Sequence, residues 1–97
     1  MRLTTDQITT ILEIADHQLG RGVSVRVYGS RLKKAGKGGD LDLLLESPDK
    51  ISILQRAEFK LTLENILHMP VDVLSYQHGT MPSTFQSIAL ANAVQIG

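Results

Sequence analysis

The chain has no cysteine, no net charge and no long apolar run, and each absence excludes a kind of site or a class of protein. Without cysteine among its 97 residues, it forms neither a disulfide nor a thiolate metal site. A formal net charge of zero gives no global attraction to a nucleic acid or a membrane surface. No apolar run approaches the roughly 20 residues of a membrane span, and the N-terminal stretch is too polar for a signal peptide. We therefore expect a cytoplasmic protein.

What remains is the composition of a small globular domain, with 42% hydrophobic and 21% charged residues. We expect one domain over residues 1–97 with a single modest core. Apolar periodicity predicts helices at about 5–19, from the start signal Ser47-Pro48-Asp49 to about 67, and from Ser83 to near Val94, with strands at 23–28, 41–45 and 71–75. This order predicts an α+β fold, an α/β sandwich in which the helices pack on one small mixed sheet.

Two of the predicted helices carry specific signals. Thr4 and Gln7 have the spacing of a capping box, and Gly20 can end the first helix in a left-handed conformation. In the second helix an apolar stripe recurs at spacings of three, three and four, and we expect it to face the sheet; it consists of Ile51, Leu54, Ala57 and Leu61. Arg56 and Lys60 then fall on the polar, solvated side.

Two aspartates interrupt the apolar second strand. Side chains alternate along a strand, so Asp40 and Asp42 point the same way, with Cα atoms about 6.6 Å apart. Their repulsion is relieved by a divalent cation, and Mg²⁺ accepts carboxylates together with substrate phosphate oxygens. A two-metal site needs a further acid. Asp72 also lies within an apolar strand, and the three acids converge if that strand is adjacent.

A glycine-serine pair ends the first strand and leads into the basic loop RLKKAGKGG. Glycine lets the backbone approach a ligand closely, and free N–H groups with the Ser30 hydroxyl can hold phosphate oxygens. The loop lysines are Lys33, Lys34 and Lys37, which either contact a nucleotide or are simply solvated. Tyr28 either shares the aspartate-bearing face or serves only in packing, depending on the strand register.

The combination of an apolar residue, Gly-Ser, nine residues, Asp-x-Asp in a strand and a later strand Asp resembles the DNA polymerase β-type nucleotidyltransferases. The small size is similar to the minimal nucleotidyltransferases of HEPN/MNT toxin–antitoxin pairs. This resemblance covers roughly residues 23–75. It implies that Gly29, Ser30 and Arg31 bind the nucleotide. It also implies that Asp40, Asp42 and Asp72 are the catalytic, metal-binding acids. Gly39 departs from the serine that many relatives have before the first aspartate.

The resemblance further implies an enzyme that uses two Mg²⁺ ions and transfers NMP, with AMP from ATP the best expectation, to an acceptor hydroxyl. About 20 residues follow the third strand, so we expect a partner chain or a homo-oligomer to supply the acceptor site. A helical HEPN toxin is the expected partner, with the chain as its antitoxin. An alternative is a non-catalytic module that neutralises its partner by contact. Transfer to a small molecule is a third option.

Overall fold

The computed structural model describes residues 3–28 and 41–96 of the chain. Their helices are α1 (Thr5–Leu19), α2 (Ile53–Leu67) and α3 (Thr84–Asn92), and their strands are β1 (Ser24–Tyr28), β2 (Leu41–Ser47), β3 (Val71–Gln77) and β4 (Val94–Gln95). The predicted α+β class and element order are confirmed. The two-residue strand β4 was not predicted, and β2 and β3 are each two residues longer than expected.

The strands form one mixed sheet in the order β3-β2-β1-β4. β1 runs antiparallel to both β2 and β4, whereas β2 and β3 are parallel. A parallel pair requires a crossover connection, and α2 provides it. β2 is therefore an inner strand with a neighbour on each side.

The two faces of the sheet are covered by different helices. One face packs against α1 and α2 in a core that includes Ile11, Val25, Val27, Leu41, Leu43, Leu45, Phe59 and Leu63. On the other face, Tyr28 and Leu44 form a smaller cluster with Ala89 of α3. The strict alternation of β2 sends its leucines to both sides, as expected for an inner strand covered on both faces.

Each helix begins at a capping box, in which two side chains satisfy two otherwise free N–H groups. The predicted box is present, because Gln7 N–H donates to Thr4 Oγ1 at 3.0 Å and Thr4 N–H donates to Gln7 Oε1 at 2.9 Å. The same arrangement joins Ser52 to Gln55, so α2 starts later than the Ser47-Pro48-Asp49 signal suggested. Gly20 ends α1 at φ 94° and ψ 169°, a positive φ outside the left-handed helical region that was expected.

The expected inward face of α2 is wrong for Leu54, Ala57 and Leu61, whereas Ile51, which precedes the helix, is buried in the core. Phe59 and Leu63 are fully buried, whereas Leu54 and Leu61 are 74% and 62% exposed. The helix carries apolar residues on opposite sides, and the side with Phe59 buries the larger apolar area. Leu54 and Leu61, with Ile53 and Ala57, instead form an outward apolar stripe.

The polar side of α2 lies against the outer edge of β3 rather than in solvent. Lys60 Nζ donates to Val71 O at 2.8 Å and to Glu64 Oε2 at 2.7 Å, and Val71 N–H donates to the same Glu64 oxygen at 2.9 Å. Arg56 Nη1 lies 3.3 Å from Ser75 Oγ. These side chains occupy backbone groups at the edge of the sheet, which otherwise invite pairing with another strand.

Within residues 3–28 and 41–96, no helix combines the length and apolar character needed to cross a bilayer.

Truncation should distinguish the two sides of α2. We expect Phe59→Ala to lower the free energy of unfolding by about 3–5 kcal/mol, because it leaves a cavity in the core. The matched variant Leu61→Ala should change it by less than about 0.5 kcal/mol, since its side chain is exposed. Urea denaturation of both variants measures this difference. Equal losses would contradict the observed orientation of α2.

The Lys60–Glu64–Val71 contacts predict a pH-dependent contribution to stability. The hydrogen bond from Lys60, followed by that from the Val71 N–H, lowers the pKa of Glu64 below its ordinary 4.5. The stabilisation is therefore complete above pH 4.5 and is lost as the pH falls through the lowered folded-state value. Glu64→Gln should be less stable than the wild type at pH 7, with the difference shrinking in acid. Denaturation across pH checks this, and a pH-independent difference would contradict it.

Candidate active site

Three polar side chains form one row across the sheet, which we call the carboxylate row: Tyr28 of β1, Asp42 of β2 and Asp72 of β3. Tyr28 is the register partner of Asp42, and Asp42 is the register partner of Asp72. Register partners on neighbouring strands project from the same face, with backbones about 4.8 Å apart. The structure therefore brings Asp42 and Asp72 together, as the adjacency of the two strands would require.

The row occupies the end of the sheet where β1 finishes and β2 and β3 begin. Its face is the one that carries α3, but the α3 cluster is centred further along, on Leu44 and Ala89. Asp72 is exposed and Asp42 is partly exposed, so both carboxylates are accessible to a ligand. Two carboxylates on neighbouring strands supply the oxygen ligands that a divalent cation prefers.

The remaining predicted site residues lie outside the described part of the chain. These are Gly29, Ser30, Arg31 and Asp40, together with the loop lysines. Among residues 3–28 and 41–96, no three of His, Cys, Asp and Glu lie close enough to hold a metal ion. The metal-binding roles of Asp40, Asp42 and Asp72 therefore stay predictions.

Tyr28 belongs both to the row and to the packing, so the two alternatives that the sequence left open are both true. Its side chain is 9% exposed and packs in the cluster with Leu44 and Ala89. Burial raises the pKa of the Tyr28 phenol, and the negative charges of Asp42 and then Asp72 raise it further. The phenol thus lies within electrostatic reach of both carboxylates.

An aromatic contact and an ion pair flank the row, and sequence reasoning identified neither. The ring of Phe85, in the first turn of α3, meets the Tyr28 ring edge-on, with centroids 6.2 Å apart and planes at 76°. Further along the same face, Arg26 Nε donates to Glu46 Oε1 at 2.6 Å. Both contacts join distant parts of the chain, so no local sequence pattern predicts them. Because Arg26 forms an ion pair with Glu46, its positive charge is largely neutralised within the sheet.

A separate cleft of about 400 Å³ lies at the opposite end of β2 and β3. Its lining includes Lys50, Arg56 and Tyr76 but no carboxylate. Along β2, Asp42 and Ser47 are five residues apart, or about 17 Å at the usual rise of a strand. Because this cleft presents two cations and no carboxylate, it is less suited to a divalent metal than the carboxylate row, where we place the candidate active site.

Comparison with known proteins identifies the class. A family model described as the nucleotidyltransferase domain matches residues 8–94, which include the whole row. The chain therefore belongs to the nucleotidyltransferase domain family. No match was found among curated proteins.

Solved structures agree with this assignment. A minimal nucleotidyltransferase is 30% identical over 92% of this chain and 88% of its own, with a TM-score of 0.68. A chain from the tri-AMPylated Shewanella oneidensis HEPN toxin in complex with MNT antitoxin is 15% identical, with a TM-score of 0.75, over 98% of this chain and 72% of that one. A toxin–antitoxin structure with AMP-PNP is 16% identical, with a TM-score of 0.77, over 93% and 72%. The last two likenesses show the shared fold.

Titration of Tyr28 should report the geometry of the row without any assay of activity. In a Tyr76→Phe background, where Tyr28 is the single tyrosine, we expect the phenol to ionise above its ordinary pKa of 10.0. Asp42→Asn or Asp72→Asn should each lower that pKa by removing a negative charge, whereas Asp49→Asn, beyond the far end of β2, should not. Ultraviolet absorbance of the phenolate measures each value. If neither row variant lowers the pKa, the three groups do not share one site.

The same shift predicts a contribution of Tyr28 to stability that is lost at high pH. Because the folded chain holds the Tyr28 proton more tightly than the unfolded chain, its contribution is complete below pH 10. It is lost as the pH rises through the raised folded-state pKa.

Proposed function

We propose that this domain, over residues 1–97, transfers AMP from ATP to a hydroxyl of a helical HEPN-type partner in the cytoplasm and so acts as an antitoxin. The observation that carries the proposal is the pairing of Asp42 with Asp72 on one open face of a nucleotidyltransferase domain. The choice of nucleotide and acceptor is supported by the similar folds solved with AMP-PNP and with an AMPylated HEPN toxin.

The proposed site divides its work between two groups of residues. Asp40, Asp42 and Asp72 would hold two Mg²⁺ ions, and Gly29, Ser30 and Arg31 would hold the phosphates. Asp42 and Asp72 fit a metal because their carboxylates lie on neighbouring strands and face the same way. Bound magnesium would neutralise the triphosphate and lower the pKa of the acceptor hydroxyl.

The transfer itself requires little covalent participation by the protein. The acceptor hydroxyl gives up its proton to solvent water, its oxygen attacks the α-phosphorus, the bond from that phosphorus to the bridging oxygen breaks, and pyrophosphate leaves with the bonding electron pair. Such reactions depend mainly on positioning and charge neutralisation, which a few fixed carboxylates and backbone groups can supply. Asp72 would orient the incoming hydroxyl, and its greater exposure relative to Asp42 supports this role.

The second candidate function is neutralisation of the partner by contact alone. The outward apolar stripe of α2 favours it, because Ile53, Leu54 and Leu61 are 76%, 74% and 62% exposed. This stripe points away from the sheet on the side opposite to the row. A contact-only module would therefore function without either aspartate.

Charge removal at the row tests catalysis. We expect Asp42→Asn and Asp72→Asn each to lower the rate of AMP transfer by at least about a hundredfold, since metal stabilisation of the transition state is worth several kcal/mol. Asp49→Asn should retain wild-type transfer, because its exposed side chain lies beyond the far end of β2. The assay follows labelled AMP from ATP onto a HEPN partner.

The double variant Asp42→Asn/Asp72→Asn separates the two functions. If it transfers no AMP and no longer suppresses the partner while still binding it, suppression depends on catalysis. Suppression that survives the complete loss of transfer would instead establish the contact-only module. Transfer at the wild-type rate by Asp42→Asn would contradict the proposed site.

A further inference from the structure

Phe85 is exposed at the margin of the carboxylate row. It lies in the first turn of α3, and its side chain is 57% exposed, whereas Ala89 of the same helix is buried. A single exposed apolar side chain needs no explanation by itself. The distinguishing feature of Phe85 is its fixed contact with Tyr28, a member of the row.

Two contacts hold the first turn of α3 above the sheet, one at Tyr28 of the row and one at Ser75, three residues along β3 from Asp72 on the side of the separate cleft. Gln86 Nε2 donates to Ser75 O of β3 at 2.9 Å, and the Phe85 ring meets the edge or face of the Tyr28 ring of β1 at 6.2 Å between centroids. The turn is thus anchored to strands on either side of β2. The rest of α3 packs over Leu44 through Ala89. Phe85 is the aromatic residue of α3, and it contacts the row through Tyr28.

This arrangement puts an open aromatic surface next to a pair of carboxylates. In a nucleoside triphosphate, the base is joined to the charged phosphates by the sugar, so its site needs an apolar wall beside a polar one. Aromatic side chains provide such walls, because every base has a π-face that stacks on them. The perpendicular Tyr28 ring restricts the tilt of Phe85 and leaves much of Phe85 uncovered.

We propose that Phe85 is the surface on which the base of the nucleoside triphosphate stacks, with Tyr28 holding the ring in place. This inference rests on the proposed nucleotide site and adds the contact that binds the base. Stacking is tolerant of base identity, so Phe85 contributes affinity for ATP and GTP alike. Discrimination between them then requires polar groups elsewhere in the site.

A comparison of ATP with tripolyphosphate measures what the nucleoside part of ATP adds to binding affinity. Calorimetry in Mg²⁺ measures the affinity of both ligands for the wild type and for Phe85→Ala, Phe85→Tyr and Ile88→Ala. We expect Phe85→Ala to weaken ATP about tenfold or more and to leave tripolyphosphate unchanged. Phe85→Tyr keeps a stacking ring and should bind ATP as the wild type does. Ile88→Ala removes another exposed apolar side chain of α3 and should change neither affinity.

A spectroscopic variant provides a second measurement. The chain has no tryptophan, so Phe85→Trp introduces a single reporter. We expect ATP to quench its fluorescence by stacking and tripolyphosphate to leave it unchanged. A merely structural role for Phe85 would not produce a signal that depends on the base.

Several outcomes would overturn the inference, and they are distinguishable from failure of the proposed function. If the wild type binds tripolyphosphate and ATP, but Phe85→Ala loses neither or both equally, the nucleotide site stands and the stacking role is wrong. Equal wild-type affinity for the two ligands would also exclude a stacked base. Binding of neither ligand by the wild type would overturn the proposed function together with this inference.

Discussion

The register of β2 between its two neighbours is the constraint on which both the core and the candidate site depend. Leu41, Leu43 and Leu45 are fully buried against α1 and α2, and the intervening positions face the other side. A slip of one residue would turn Asp42 into that core and bring Leu41 or Leu43 into its place. The cost of burying an unpaired carboxylate excludes this alternative. The packing of leucines on one face therefore fixes the carboxylate on the other.

The two faces of the sheet then serve different purposes. The face under α1 and α2 is an apolar core, whereas the described residues of α3 pack over the other face around Leu44 and Ala89. Along this second face the row of Tyr28, Asp42 and Asp72 is followed by the ion pair of Arg26 with Glu46. An aromatic residue, two carboxylates and an ion pair thus lie within the length of two short strands.

Local signals predicted most of this fold, and contacts between distant segments account for what they missed. Capping boxes and strand alternation can be recognised from neighbouring residues. The predicted bounds of α1, β1 and β2 are therefore within two residues of the observed ones. The inward side of α2 could not be predicted locally, because the helix has two apolar faces and only the folded chain shows which one meets the sheet. Strand β4 likewise depends on the pairing of Val94 with Val27, which is distant in sequence. Within the site, alternation and strand adjacency brought Asp42 to Asp72, but the contact of Phe85 with Tyr28 has no signature in sequence spacing. The roles of Gly29, Ser30, Arg31 and Asp40 stay predictions.

The row also ties the integrity of the site to that of the whole domain. Its three members come from strands that are far apart in sequence but adjacent in the sheet. A fluctuation that separates any two of them breaks a ladder of backbone hydrogen bonds and opens the core beneath it. Among the described residues, the row therefore has no inexpensive, partly open state of the kind found in sites built on mobile loops. The row therefore persists as long as the sheet does. Its loss indicates that the strands have separated.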